Sequence, residues 1–178
     1  MRLFIAINFN DEIKDDLCNA IQGLKTNSYK GNFTKRENLH LTLVFIGESS
    51  RVDDITKAMN KVDEGTFEIS IGGLGKFRRN GGDIYWIGVE NNSSLTRVYS
   101  KLYEELKVAG FQLEDREYTP HLTLGREVVI NDSFDRKAFE DTIPKMKLTV
   151  YKISLMKSAR IDGRLTYTPI YEKELKVD

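Results

Sequence analysis

The tetrapeptide His-Leu-Thr-Leu occurs twice, at His40–Leu43 and at His121–Leu124, and these two copies contain both histidines of the chain. Polar and apolar residues alternate in each copy, which is typical of a β-strand with one buried face. On such a strand the histidine and the threonine share one face, about 7 Å apart along the backbone, and the two leucines share the other. The repeat therefore predicts two amphipathic strands, each presenting an imidazole beside a hydroxyl.

Two histidines can supply the acid and the base that cleavage of a phosphate ester requires near neutral pH. One His-x-Thr pair alone would favour a structural role, but the repeat favours a functional one. A zinc site needs three or four ligands. The chain has no third histidine, and its single cysteine, Cys18, belongs to no Cys-x-x-Cys pattern. We therefore expect no metal and no other cofactor.

Length and composition narrow the class of protein. A chain of 178 residues predicts one domain, or two tightly joined lobes, over 1–178. Its 27 basic and 27 acidic residues balance, so we expect only local contacts with nucleic acid. One cysteine fits a reducing compartment, and the apolar segment 3–9 is too short to span a membrane. A cytoplasmic monomer that does not contact a membrane is expected.

Strand and helix patterns alternate along the chain, and several links between strands are too short for a parallel crossover. An α+β fold with largely antiparallel sheets is therefore predicted. Helices are predicted after Asn10, near Asp53, after Ser93 and from Asp135, and the glycine-rich segment 72–82 is predicted to be a loop. The predicted strands are 3–9, 39–46, 67–71, 83–90, 121–126, 148–156 and 165–175, with a hairpin turn at Asp162-Gly163.

Three short segments elsewhere in the chain add to the pattern of the two tetrapeptides. They are Gly75-Lys76-Phe77, Thr119-Pro120 and Ser154-Leu155-Met156-Lys157-Ser158. With them the chain resembles, over essentially its full length, the two-histidine phosphoesterases. Within that superfamily it is similar to the RNA 2',3'-cyclic phosphodiesterases, also called bacterial-type 2'-5' RNA ligases. The resemblance implies a bilobed fold with pseudo-twofold symmetry, in which two mainly antiparallel sheets flank a central cleft and helices lie outside.

The resemblance also implies an activity: metal-independent opening of RNA 2',3'-cyclic phosphate ends to 2'-phosphate ends. In this scheme His40 is the general acid for O3' and His121 is the general base. Thr42 and Thr123 can hold the non-bridging phosphate oxygens as charge develops on them. Attack by a 5'-hydroxyl in place of water would give 2'-5' ligation as a side activity of the same site.

Phe45 and Arg126 each follow a histidine by five positions. In relatives, residues at these positions sandwich a nucleobase, one through its aromatic ring and one through its guanidinium plane. Strict alternation would place both side chains on the face opposite the histidine, so each strand is expected to end or twist there. The nearby cations Lys76, Arg78 and Arg79 are either solvated or touch the RNA backbone.

The expected partners are RNA ends or small nucleotides that carry a 2',3'-cyclic phosphate. Two alternatives remain. One is a related cyclic phosphodiesterase that acts on ADP-ribose cyclic phosphate or on a 2'-5' oligonucleotide. The other is a non-catalytic module that binds RNA ends, which would have no need to keep both histidines and both threonines.

Overall fold

A computed structural model describes residues 1–177, which form two β-sheets and four α-helices. A short 3-10 turn, Arg36–Asn38, precedes the first motif. In chain order the elements are β1 (Arg2–Asn8), α1 (Asp11–Thr26), β2 (Ser28–Phe33), β3 (His40–Glu48), α2 (Val52–Asn60), β4 (Phe67–Phe77), β5 (Asp83–Val89), α3 (Ser93–Val108), β6 (His121–Ile130), α4 (Arg136–Asp141), β7 (Met146–Val150), β8 (Lys152–Ile161) and β9 (Arg164–Glu174).

Each sheet contains one copy of the repeated tetrapeptide. The four-stranded sheet has the order β3-β1-β8-β9, with the first copy on its edge strand β3. The five-stranded sheet has the order β2-β6-β5-β4-β7, with the second copy on β6. All neighbouring strands of both sheets are antiparallel. The predicted α+β architecture of two antiparallel sheets is therefore confirmed.

The leucines of both tetrapeptides lie in one hydrophobic core. Leu41, Leu122 and Leu124 have no exposed surface and Leu43 has 2%. The same core includes one face of β1, formed by Leu3, Ile5 and Ile7, and the apolar faces of the helices, for example Leu17 of α1 and Leu102 of α3. Burying one face of each motif strand leaves the histidines and threonines on the other face, as the alternation predicts.

Three of the four helices begin at a polar side chain that caps them. The side chain of Asn10 accepts a hydrogen bond from the Ile13 backbone N–H at 2.9 Å, which satisfies one of the free donors of the first turn of α1. Asn92 caps α3 and Asp135 caps α4 in the same way. Within the described residues, no helix is both long and apolar enough to cross a membrane.

Three parts of the predicted secondary structure are wrong. Segment 148–156 is not one strand, because β7 ends at Val150 in the five-stranded sheet and β8 begins at Lys152 in the four-stranded sheet. Segment 72–82 is not a loop throughout, because β4 continues through the glycines to Phe77. Glycine is disfavoured in strands, yet here it allows an irregular step in the pairing with β5 between Ile71 and Leu74, where Gly73 has φ +87°. The strand β2 was not predicted, because its mostly exposed residues carry no apolar alternation.

Candidate active site

The two motif strands share the same irregularity three residues after the histidine. In β3, Thr42 pairs with Ala6 and Val44 pairs with Ile5, so that Leu43 is an extra residue. In β6, Thr123 pairs with Trp86 and Gly125 pairs with Tyr85, so that Leu124 is the extra residue. An extra residue of this kind is a β-bulge, which bends the strand and reverses the alternation beyond it. The two bulges occupy equivalent positions in the two motif strands, as expected for a fold with pseudo-twofold symmetry.

The bulges explain the position of the side chains five residues after each histidine. Phe45 pairs with Phe4, and Thr42 pairs with Ala6. Phe4 and Ala6 are two residues apart on β1 and share a face of the sheet, so Phe45 lies on the same face as Thr42. The displacement in β6 likewise turns Arg126 to the face of His121. Of the two expected possibilities, an end or a twist of the strand, neither strand ends here, since β3 continues to Glu48 and β6 to Ile130. A bulge provides the expected change of face instead.

His40 is held in one tautomer by its backbone neighbour. Its Nδ1 lies 2.8 Å from the carbonyl oxygen of Asn38, and a carbonyl only accepts, so Nδ1 carries the hydrogen. In the neutral ring Nε2 is then an acceptor. The Thr42 hydroxyl, 2.8 Å from Nε2, donates to it. The buried side chain of Asn38 in turn donates to the Leu165 carbonyl at 3.0 Å and links this site to the β8–β9 hairpin.

His121 is oriented in the same way. Its Nδ1 lies 2.6 Å from the Thr119 carbonyl oxygen, two residues earlier, just as His40 bonds to Asn38. Nδ1 is therefore again the protonated nitrogen, and Nε2 is the atom left for a ligand. Each sheet thus supplies an imidazole whose tautomer is defined by a backbone carbonyl.

Each imidazole also packs against two aromatic rings that contact each other. His40 contacts Phe4 at 4.9 Å and Tyr167 at 5.2 Å between ring centroids. His121 contacts Phe77 at 5.2 Å and Trp86 at 5.7 Å. Both rings are thereby oriented by packing as well as by a hydrogen bond. These aromatic partners were not predicted as site residues, because they come from strands distant in sequence from the motifs.

Burial among these rings lowers the pKa of both histidines below the usual value of 6.5, because it disfavours the imidazolium form. The bonds to Asn38 and Thr119 oppose the shift. The positive charge of Arg126 lowers the pKa of both rings further, and the charge of His121 lowers that of His40. One guanidinium therefore acts on both imidazoles, which indicates that the two motifs converge at a common site.

A direct hydrogen bond joins the two motif regions. The hydroxyl of Tyr118, which lies three residues before His121, donates to the Thr42 carbonyl at 3.0 Å. A second hydrogen bond runs from the segment before the first motif to the second motif: Thr34 Oγ1, six residues before His40, donates to the Thr123 carbonyl at 2.8 Å. Tyr118 is further fixed by parallel stacking on Tyr99, with the ring centroids 4.2 Å apart. Both bonds reach the residue immediately before a bulge.

A cavity of about 520 Å³ opens beside the motifs. Four of the six predicted site residues line it, namely Thr42, Phe45, His121 and Arg126. His40 and Thr123 are not among its lining residues. Ligand sites in proteins have volumes of about 300–1,000 Å³, so the cavity has room for a nucleotide.

Two of the cations near the β4–β5 turn, Arg79 and Lys76, have different surroundings. Arg79 lines the cavity, and its guanidinium lies 5.7 Å from the centre of the Phe77 ring. Lys76 instead forms an ion pair, with its Nζ 3.7 Å from Asp83 Oδ2. Within residues 1–177, no group of three or more His, Cys, Asp or Glu side chains is placed to hold a metal ion.

Comparison with known sequences assigns the chain to a family. The model of the 2'-5' RNA ligase superfamily matches residues 13–162. An RNA 2',3'-cyclic phosphodiesterase of Thermotoga maritima is 29% identical over 97% of this chain and 94% of its own length. One from Methanocaldococcus jannaschii is 33% identical over 83% of this chain and 82% of its own.

Solved structures agree on the fold. Escherichia coli LigT, in a crystal structure with 3'-AMP, has a TM-score of 0.79 at 23% identity and covers 98% of this chain and 97% of its own. TT0787 of Thermus thermophilus has a TM-score of 0.79 at 21% identity, covering 98% of each chain. Two antiparallel sheets with one His-x-Thr motif each, and a family match over most of the length, lead to one conclusion. The chain belongs to the 2'-5' RNA ligase superfamily.

Proposed function

We propose that this protein opens the 2',3'-cyclic phosphate at the end of an RNA chain to a 2'-phosphate without a metal ion. The observation that carries the proposal is the pair of equivalent half-sites, each with an imidazole whose Nδ1 is bonded to a backbone carbonyl, so that Nε2 is the nitrogen for the reaction. At His40 the Thr42 hydroxyl bonds this nitrogen and turns to the phosphate when substrate binds. The relatives named RNA 2',3'-cyclic phosphodiesterase support the choice of substrate.

The reaction needs one neutral and one protonated imidazole. In the proposed mechanism His121 Nε2 accepts a proton from water as the water oxygen attacks phosphorus. The bond from phosphorus to O3' breaks on the opposite side, and His40 donates its Nε2 proton to O3'. The product carries a 2'-phosphate and a 3'-hydroxyl. The enzyme then holds a protonated His121 and a neutral His40, and exchange with solvent restores the starting state.

We assign the two threonines, and the two residues that follow the bulges, to binding of the substrate. We assign the hydroxyls of Thr42 and Thr123 to the non-bridging oxygens, where negative charge grows in the transition state. Phe45 and Arg126 are assigned to the two faces of the terminal base. Phe45 is 45% exposed, and its ring already stacks with a guanidinium, that of Arg2 at 4.8 Å. An exposed aromatic ring on the face of Thr42 supports this role.

The wider proposal concerns partners and organisation. A 5'-hydroxyl that replaces water as the nucleophile gives a 2'-5' phosphodiester, so the same groups support ligation. Because the site draws on both sheets, we infer that residues 1–178 act as one bilobed domain and that a monomer is sufficient. The single cysteine is the basis for proposing a cytoplasmic location.

The test is incubation of the purified protein with a short RNA ending in a 2',3'-cyclic phosphate, in the presence of a chelator, followed by mapping of the product phosphate. A 2'-phosphate is expected, and a protein in which His40 and His121 are both replaced by alanine should be slower by at least about 10²-fold. A 3'-phosphate would overturn the assignment of the leaving group. Dependence on added metal would overturn the mechanism, and tight binding without turnover would indicate a binding module.

The pKa values of the histidines predict the pH dependence. The reaction needs one protonated and one neutral imidazole, so kcat/KM is maximal between the two pKa values of the free enzyme. Both pKa values are lowered from 6.5, and the maximum is therefore expected below pH 6.5. Replacing Arg126 with glutamine removes a charge that lowers both pKa values, so the maximum should move to higher pH. An unmoved maximum in this variant, or a wild-type maximum above pH 7, would contradict the prediction.

Tyr118→Phe tests the bond between the motif regions. The variant leaves the Thr42 carbonyl without this donor, which should destabilise the protein by about 1–3 kcal/mol and reduce kcat, because the two imidazoles are less firmly held. Tyr103→Phe is a matched control, since the buried Tyr103 hydroxyl has no hydrogen-bond partner within residues 1–177. Thermal unfolding and turnover are the measurements. Equal effects of the two variants would argue against a role for the bond.

A further inference from the structure

We propose that Gly75 is a positioning residue for His121: the absence of a side chain at Gly75 allows the indole of Trp86 to lie flat on the sheet and support the imidazole. The inference rests on the proposed catalytic role of His121. It gives a function to a glycine in segment 72–82, which the sequence predicts to be a loop.

Gly75 and Trp86 are directly paired across strands β4 and β5. A Cβ atom built at Gly75 would lie 2.2 Å from Cη2, 2.3 Å from Cζ2 and 2.6 Å from Cε2 of the indole. All three distances are far below van der Waals contact, so even alanine requires the ring to move. Gly75 is not among the glycines with positive φ. Space for the indole is therefore the reason for glycine at this position.

The indole that covers Gly75 belongs to the environment of His121. Trp86 contacts the imidazole at 5.7 Å and Phe77 at 5.3 Å, and Phe77 contacts the imidazole edge-on at 5.2 Å. Trp86 also pairs with Thr123 across β5 and β6. One ring thus lies beside both functional residues of the second motif, and a displacement of that ring is transmitted to both.

Packing holds the indole in place, since no hydrogen bond does. Within residues 1–177, Trp86 Nε1 is buried and has no acceptor. An aromatic ring covering a cross-strand glycine is a known way of fixing such a ring on a sheet. A methyl group at position 75 would lift the ring from the sheet. Because reacting groups must be aligned closely, a shift of about 1 Å at His121 can cost about 10²-fold in rate.

The experiment compares Gly75→Ala with Gly72→Ala on the same strand. A Cβ at Gly72 meets only Lys145 Cγ, at 3.5 Å, which is ordinary contact. Gly75→Ala is expected to lower kcat by about 10- to 100-fold with little change in KM, and Gly72→Ala to leave both near wild type. The double variant Gly75→Ala/Trp86→Phe should recover the kcat of Trp86→Phe alone, because phenylalanine lacks the benzo ring atoms that clash.

A spectroscopic measurement tests the geometry independently of turnover. Trp86 is the only tryptophan, and a protonated imidazole quenches the emission of a neighbouring indole. Wild-type emission should therefore titrate with pH, the His121→Gln variant should lose this transition, and Gly75→Ala should shift or weaken it.

Wild-type kcat in Gly75→Ala, a loss that Trp86→Phe does not relieve, or an unchanged emission titration in Gly75→Ala would each overturn the proposal. Absence of turnover in the wild-type protein would instead refute the proposed function. In that case the emission titrations of wild type, His121→Gln and Gly75→Ala still decide whether Gly75 positions the indole against His121.

Discussion

Replacing His121 with alanine is expected to reduce turnover of an RNA 2',3'-cyclic phosphate by about 10²- to 10⁴-fold, the usual contribution of one acid or base. His40→Ala should have an effect of similar size. Neither change should greatly alter KM, since the threonines and the base-binding residues remain. Single-turnover kinetics measure the chemical step directly and separate it from release of product.

The double variant adds information that the single variants lack. Groups that act as a unit are not additive, so removing both imidazoles should cost much less than the product of the two single effects. Both rings are packed against aromatic side chains, so the folded fraction of each variant should be checked by thermal unfolding. A double variant that retains most of the wild-type rate would contradict the assignment of both residues.

Thr123→Val is expected to reduce kcat by about 10²-fold, because it removes a hydroxyl from the oxygens that gain charge in the transition state. Valine keeps the shape of threonine, and Thr123→Ser keeps the hydroxyl, so serine is the matched control and should retain most of the rate. Thr42→Val is a less clean variant, since its hydroxyl also bonds His40 Nε2. Equal rates for the valine and serine variants would exclude this role for Thr123.

The sequence was sufficient to predict the motif strands and the class of fold. Alternation in His40–Leu43 and His121–Leu124 identified the buried and exposed faces correctly, because it depends only on strand periodicity. The same rule failed five residues after each histidine. Whether a bulge forms depends on the register with a partner strand, and that partner is distant in the sequence.

The surroundings of the histidines were beyond sequence reasoning for a similar reason. Tyr167 reaches His40 from β9, and Trp86 reaches His121 from β5, so each contact exists only once the sheet is assembled. Gly75 was misassigned because glycine is a weak strand former, and only the structure identifies the ring that excludes a side chain. Asn38 and Thr119 contribute backbone carbonyls, which carry no signature of residue type.

The central claim is that both imidazoles bind one phosphate group. The chain has only two histidines, so its imidazole ¹⁵N resonances can be assigned with the His40→Gln and His121→Gln variants. Titration of the labelled protein with a nucleoside 2'-phosphate should shift both Nε2 signals with one midpoint and raise both pKa values, because an anion favours the imidazolium form. A shift of only one histidine, or two separate midpoints, would contradict the claim.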